Sequence, residues 1–264
     1  MPEGHTVHRQ ARELRKRFAG HPIAVSSPQG RFADGAMLLD GRVIERTEAY
    51  GKHLFLGFAG RRLLHVHLGL YGSWLFGPEP PPVPRGALRV RLESNGWYAD
   101  LRGPTACEVW TPADRAQLMA RLGPDPLRRR PDGDRAWEVL SRRRAPIAAL
   151  LMDQAVLAGV GNVYRAEVLF RARLAPHRPG RAVNRAEWDA VWADLVALMR
   201  AGVRSGRIVS TRPADRPRGG RARREDAHYV YRRAGLPCRV CGTPVATEVM
   251  ATRNLFWCPR CQAA

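Results

Sequence analysis

Lysine is almost missing from this chain of 264 residues: among 44 basic residues only Lys16 and Lys52 are lysines, and all the others are arginines. A coding bias toward G and C accounts for the skew, so the two exceptions are informative. Lys16 lies in the run Arg15-Lys16-Arg17 and reads as a solvated charge. Lys52 interrupts the apolar strand pattern Tyr50-Gly51-Lys52-His53-Leu54-Phe55, where it is either another solvated ammonium or an amine that a guanidinium cannot replace. Acidic residues are also few, 24 in all, and the net charge of +20 points to a polyanionic partner or an anionic membrane surface. Long apolar runs are absent, since none reaches the roughly 18 residues of a spanning helix. The basic-then-apolar layout of a secretory signal is absent as well. Membrane insertion is therefore not expected, and a cytoplasmic location is. With only five cysteines, and length enough for two domains with real cores, the chain does not call for disulfide support.

The apolar pattern changes along the chain. Val7, Ala11, Leu14 and Phe18 recur at helical spacing and predict an amphipathic helix over 5–19. From 22 to 110, short β-rich runs alternate with Gly, Pro and Asp turns: Leu38-Leu39, Arg42 to Ile44, His53 to Leu56, Leu63 to Val66 and Leu88 to Leu92. These predict a β-sandwich or flattened barrel. Thr111-Pro112 reads as a helix start running to about 122, and the Pro, Arg and Gly-rich stretch 123–134 as a hinge. Helical periods follow over 135–142, 146–156, 162–173 and 187–204, the last capped by Asn184. The stretch 204–233 carries ten arginines and three acids and reads as a mobile loop too charged to bury. The expected class is α+β and multidomain: an N-terminal β-sandwich domain with a leading helix over 1–122, a helical domain over 135–225, and a separate module over 226–264.

That last module carries the strongest local signal. Cys238-x2-Cys241, sixteen residues, then Cys258-x2-Cys261 lets each pair chelate one side of a tetrahedral Zn²⁺ around a β-hairpin. Two disulfides are the competing reading, disfavoured in a reducing compartment. So small a module has almost no core, so zinc would fold it. Four thiolates leave no open position for water, which makes the metal structural. Cys107 reads as a buried apolar residue.

Other features gain meaning together. Loss of Met1 would leave Pro2 as a free secondary amine beside the Glu3 carboxyl. An α-amine titrates near 7.7–8.0, so part of it is an uncharged nucleophile at neutral pH. A solvated terminus is the bland alternative. Arg253 stands near the expected hairpin tip, suited either to a phosphate or to solvent. Leu157-Ala158-Gly159-Val160-Gly161-Asn162 joins two helices through a double-glycine turn that offers an anion site or an ordinary cap.

Pro2-Glu3-Gly4, Gly51-Lys52, Asp153-Gln154-x2-Leu157-Ala158-Gly159-Val160-Gly161-Asn162, and the four-cysteine finger with Arg253 together resemble the formamidopyrimidine-DNA glycosylase and endonuclease VIII family. The resemblance implies a helix-two-turns-helix motif in the helical domain and a basic DNA-binding cleft. It implies a bifunctional DNA glycosylase and abasic-site lyase of base excision repair. Pro2 is then the nucleophile forming a Schiff base, Glu3 the proton donor to the opening sugar, and Lys52 and Arg253 the phosphate-gripping groups that assist proton transfer, with strand cleavage by β,δ-elimination. Arg121 and Asn162 match phosphate-binding positions. Leu70 and Tyr71, after His67-Leu68-Gly69, match the wedge that fills the gap left by an extruded base, with core packing as the other reading. Gly69 departs from the glutamine usual in the endonuclease VIII branch. The segment 100–108 lacks the intercalating Arg-Phe-Gly of the purine branch, which favours oxidised pyrimidines; oxidised purines, or binding of damaged DNA without catalysis, are the alternatives. A zinc-ribbon factor explains the cysteines and arginines but not the Pro-Glu start. The expected partner is duplex DNA with damaged bases or abasic sites, bound at the nucleoid by a monomer.

Overall fold

The stripe predicted at the N-terminus is helix α1, Gly4–Phe18, with Val7, Ala11, Leu14 and Phe18 all buried. The computed structural model describes residues 2–217 and 220–263. Met1, whose removal is expected to free Pro2, lies outside them, as do residues 218 and 219 of the arginine-rich stretch. The chain divides into two compact units, 1–121 and 122–264.

The first unit is built from two four-stranded antiparallel sheets. One has the order β2-β3-β4-β8, from Ile44–Tyr50, His53–Phe58, Arg62–His67 and Ala106–Trp110. The other has the order β1-β6-β7-β5, from Ala24–Ser26, Leu88–Ser94, Trp97–Arg102 and Ser73–Pro78. Alternation along the strands sends Leu54, Leu56, Leu64, Val66 and Cys107 of the first sheet and Val90, Leu92, Ala99 and Leu101 of the second into one core with α1. Thr47 Oγ1 donates to Ala11 O at 2.8 Å and ties α1 to β2. Leu38-Leu39 is a correction: the pair lies in helix α2, Ala33–Leu39, not in a strand. Leu39 is fully buried and Leu38 exposed, a difference that two adjacent apolar letters cannot reveal. Helix α3, Pro112–Arg121, begins as predicted, with Thr111 and Asp114 capping one another: Thr111 N donates to Asp114 Oδ2 at 2.8 Å, and Asp114 N to Thr111 Oγ1 at 3.3 Å.

In the second unit, residues 123–126, the first part of the predicted hinge, are buried. Gly123 N donates to Gln154 O, and Ala158 N to Pro124 O. Helix α4, Gly133–Leu140, is followed by α5, Ile147–Leu150, α6, Asn162–Arg171, and α7, Arg185–Ser205. A reciprocal Asn184–Glu187 capping box opens α7 where Asn184 was expected to cap it. The helix predicted over 146–156 is corrected: only the four residues of α5 are helical, and two turns occupy the rest up to α6. The stretch 204–233 is corrected too. Ser210, Thr211, Tyr229, Val230 and Tyr231 are buried, because a carboxylate satisfies the backbone N–H groups of 229–231 and Ala227 O accepts those of Ser210 and Thr211. Strands β9, Ala246–Met250, and β10, Arg253–Trp257, form an antiparallel hairpin. Among the described residues no helix is long and apolar enough to cross a membrane.

Candidate DNA repair site

Glu3 is the residue before the first turn of α1; its carbonyl accepts Thr6 N at 2.9 Å while its side chain is fully buried. Pro2 beside it is partly exposed. A carboxyl out of water thus stands one peptide from a partly exposed proline, the arrangement expected of an acid paired with a nucleophile once that nitrogen is a free amine.

Lys52 follows Gly51, whose φ of +55° forms the tight β2–β3 turn in a conformation that other residues rarely adopt. Lys52 is partly exposed, and its carbonyl lies 3.1 Å from His67 Nδ1. That contact requires the proton on Nδ1, since a carbonyl only accepts. Around it lies a cluster that the sequence does not announce. The register places His67 opposite His53 and His65 opposite Phe55, with Glu108 opposite His65. His53, Phe55, His65, His67, Glu108 and Trp110 therefore share the sheet face turned away from the core. His53 Nδ1 lies 3.0 Å from His65 Nε2, and His65 Nδ1 lies 3.4 Å from Glu108 Oε2. Trp110 stacks on His65 at 3.7 Å between ring centres and donates its indole N–H to the same Glu108 oxygen at 3.0 Å. Burial is the largest cause that lowers the pKa of all three histidines. His53 falls to about 3, helped by the positive charges of Lys52 and Arg121, and His65 to about 4 against the pull of Glu108. All three rings are neutral at physiological pH.

Leu70 and Tyr71 stand at the tip of the β4–β5 turn, 42% and 87% exposed, so the core-packing reading is excluded. Gly72 N donates to Leu68 O at 3.0 Å and closes the turn. Gly69 is required there: its φ is +66°, and a Cβ would lie 1.8 Å from Thr105 Oγ1. The departure from glutamine at this position is thus built into the backbone. Arg121, the last residue of α3, is exposed.

In the second unit, Gln154 explains why the Asp153-Gln154 motif is distinctive. Its amide nitrogen donates to Met152 O and Val160 O at 2.9 and 3.0 Å, and its amide oxygen accepts Gly159 N at 2.9 Å. One side chain clamps both turns between α5 and α6, while Asp153 Oδ1 closes the first by accepting Ala155 N. Asn162, at the start of α6, is buried, and its side chain is engaged within the protein: it donates to Asn254 O at 2.9 Å, and its own oxygen accepts a bond from the fully buried Arg165. These contacts fix the hairpin next to Arg253, which opens β10 after the tip residues Ala251 and Thr252 and is partly exposed.

The four finger sulfurs lie within 4.8 Å of one another, with Cys238–Cys261 at 3.9 Å and Cys241–Cys258 at 3.4 Å. Tetrahedral zinc with bonds near 2.3 Å requires edges of about 3.8 Å. Burial pushes the Cys258 and Cys261 thiols up, so four thiolates here need a cation. The donor set fits structural zinc and its alternative, disulfide pairing, is not formed. Cys107 is buried as expected, its thiol pushed up to about 12 by burial.

Sequence reasoning overlooked the histidine cluster and Glu167. The latter is fully buried on α6 and accepts the backbone N–H groups of Tyr229, Val230 and Tyr231 at 2.7, 2.9 and 2.8 Å, plus the Ser210 hydroxyl. It anchors the end of the arginine-rich stretch.

Comparison with known proteins identifies the family. Residues 1–107 match the formamidopyrimidine-DNA glycosylase N-terminal domain, 122–213 its H2TH domain, and 235–264 the zinc finger found in formamidopyrimidine-DNA glycosylase and isoleucyl-tRNA synthetase. Endonuclease 8 1 of Mycobacterium bovis is 51% identical over 99% of this chain and all of its own. The crystal structure of the Thermus thermophilus formamidopyrimidine-DNA glycosylase superposes with a TM-score of 0.79 at 32% identity, covering 99% of this chain and 98% of that one. The Lactococcus lactis enzyme in complex with DNA containing an abasic site shares the fold at a TM-score of 0.80 and 20% identity, over 99% and 100% of the chains. The chain belongs to the formamidopyrimidine-DNA glycosylase and endonuclease VIII family of DNA glycosylases and abasic-site lyases, with a structural zinc finger.

Proposed function

We propose that this enzyme removes oxidised pyrimidines from duplex DNA through an imino linkage to Pro2 and then cleaves the strand by β,δ-elimination. The observation that carries the chemistry is the pairing of a buried Glu3 carboxyl with the partly exposed Pro2. With Met1 gone, the Pro2 nitrogen attacks the deoxyribose C1′. The damaged base leaves, Glu3 protonates the ring oxygen as the C1′–O4′ bond breaks, and a cationic iminium remains. That cation draws electrons from the C2′–H bond, so loss of a C2′ proton expels the 3′ phosphate, and a second elimination expels the 5′ phosphate. Lys52 and Arg253 neutralise the flanking phosphates and help move these protons, while Arg121 and the backbone at Asn162 hold the strand. Leu70 and Tyr71 fill the space of the extruded base, offsetting an unstacking cost of a few kcal/mol. The preference for pyrimidines is supported by the high identity to Endonuclease 8 1 and by the exposed Leu70–Tyr71 pair.

Borohydride reduction tests this reading. Wild-type protein is expected to give a covalent adduct with thymine-glycol and abasic duplexes, and Pro2→Gly none. An adduct that persists in Pro2→Gly rules out Pro2 as the sole nucleophile, and active protein whose mass shows a retained Met1 rules it out altogether. Faster release of 8-oxoguanine than of thymine glycol would assign the enzyme to oxidised purines.

A further inference from the structure

We propose that Glu108, His65 and His53 form a proton-transfer chain that links solvent to the Lys52 turn. This rests on the role proposed above for Lys52.

Hydrogen-bond polarity is set from the outer end. Glu108 Oε2 accepts the Trp110 indole N–H at 3.0 Å, and a carboxylate only accepts, so His65 carries its proton on Nδ1, 3.4 Å away. His65 Nε2 is then a lone pair and accepts from His53 Nδ1 at 3.0 Å. His53 is left with an unprotonated Nε2 in the residue next to Lys52. The outer end is wet and the middle dry: the Glu108 side chain is 54% exposed, whereas that of His65 is 4% exposed. The Trp110 and Phe55 rings stacked on His65 keep it from exchanging protons directly with water.

Every step balances. The C2′–H bond breaks in the elimination and its proton, passed on at the Lys52 turn, bonds to His53 Nε2; the His53 Nδ1–H bond breaks as a bond forms to His65 Nε2; the His65 Nδ1–H bond breaks as Glu108 takes the proton and passes it to water. Both rings end as the other neutral tautomer, and the return of one proton along the same path resets them. One proton taken from C2′ in the elimination, and one given to the leaving group, match this cycle. The groups facing the chain are Tyr50 and Glu48 from β2, Lys52 from the turn, His67 from β4, and Arg115 and Arg121 from α3. Tyr50 is the register partner of His53, and Glu48 is paired with Arg115 at 2.7 Å. The positive charges at Lys52 and Arg121 favour neutral imidazoles, which can relay a proton but do not store one.

The test is single-turnover cleavage of an abasic duplex by the full-length protein, with affinity for an uncleavable tetrahydrofuran duplex as the check on folding. His53→Ala is expected to cut the cleavage rate at neutral pH by at least about tenfold, with the tetrahydrofuran affinity within about twofold. Because His53 is only partly buried, free imidazole enters the space left and restores the rate, more so for carriers whose pKa lies nearer the working pH. Glu108→Gln keeps an acceptor for Trp110 but cannot take a proton, so it is expected to slow cleavage and alter its pH profile without changing affinity. Failure of imidazole to rescue a slow His53→Ala, or full activity in both variants while Lys52→Ala is impaired, overturns the chain alone. Full activity in Lys52→Ala overturns the role of Lys52 and the chain with it.

Discussion

Glu167 Oε2 accepts the backbone N–H of Tyr229 at 2.7 Å from a position with no solvent exposure. The other carboxylate oxygen takes Val230 and Tyr231, so one side chain on α6 satisfies three consecutive amides. Glu167→Gln keeps one acceptor and turns an amide NH2 against N–H groups. A loss of about 2–4 kcal/mol in urea unfolding is expected, with faster hydrogen exchange at residues 229–231. A loss under about 0.5 kcal/mol would show that the segment is held elsewhere.

Tyr71 separates function from stability. At 87% exposure it contributes little to the fold, so Tyr71→Ala is expected to change unfolding free energy by less than about 0.5 kcal/mol. Binding to an abasic duplex is expected to weaken by about 1–3 kcal/mol, the scale of one aromatic stacking contact. Equal affinity in a filter or fluorescence assay would remove Tyr71 from the wedge.

Acid should destabilise the protein through its buried histidines. Burial lowers His5 to about 4, His53 to about 3 and His65 to about 4, below the unfolded value near 6.5. A depressed histidine pKa means that the unfolded chain binds protons first. The stability is thus fully present above about pH 6.5 and is lost as pH falls from there toward 4. Each group contributes on the order of 1–2 kcal/mol by pH 5, less where His53 and His65 titrate together. Urea midpoints between pH 7.5 and 5 measure the slope, and a His53→Gln, His65→Phe double variant should flatten it. An unchanged slope would assign the loss to other groups.

Zinc should be needed for the finger and so for DNA binding. Structural zinc supplies about 10–16 kcal/mol to zinc-finger peptides, and here the four cysteines join the β9–β10 hairpin to the Cys238–Cys241 turn. Cys258→Ser, at a fully buried ligand, is expected to lose the metal by elemental analysis and to abolish binding to damaged duplex. Metal-free protein that binds normally would contradict this.

Arg253 should act as a phosphate contact with no sequence preference. Arg253→Ala is expected to flatten the plot of log affinity against log salt by about one unit. The same slope in both proteins would take Arg253 off the DNA.

What could be read without coordinates depended on contacts close along the chain. Helix α1 was legible because one turn brings Val7, Ala11, Leu14 and Phe18 onto one face. The finger was legible because two short chelating pairs contain their own geometry. Helix α2 was not, since the two letters Leu38-Leu39 suit a strand as well as a helix, and neither was α5, whose helical signal continues into turns closed by Asp153 and Gln154.

Composition and motif order by themselves determined a basic, zinc-fingered DNA glycosylase with Pro2 and Glu3 behind its first methionine, because those features rest on residue identity and local spacing. Only the tertiary structure decided that Asn162 turns inward to Asn254, that a side chain at Gly69 would meet Thr105, and that His53, His65 and Glu108 line up across β3, β4 and β8. Those relations depend on strand register and on the approach of segments far apart in the chain, which no local pattern of residues specifies.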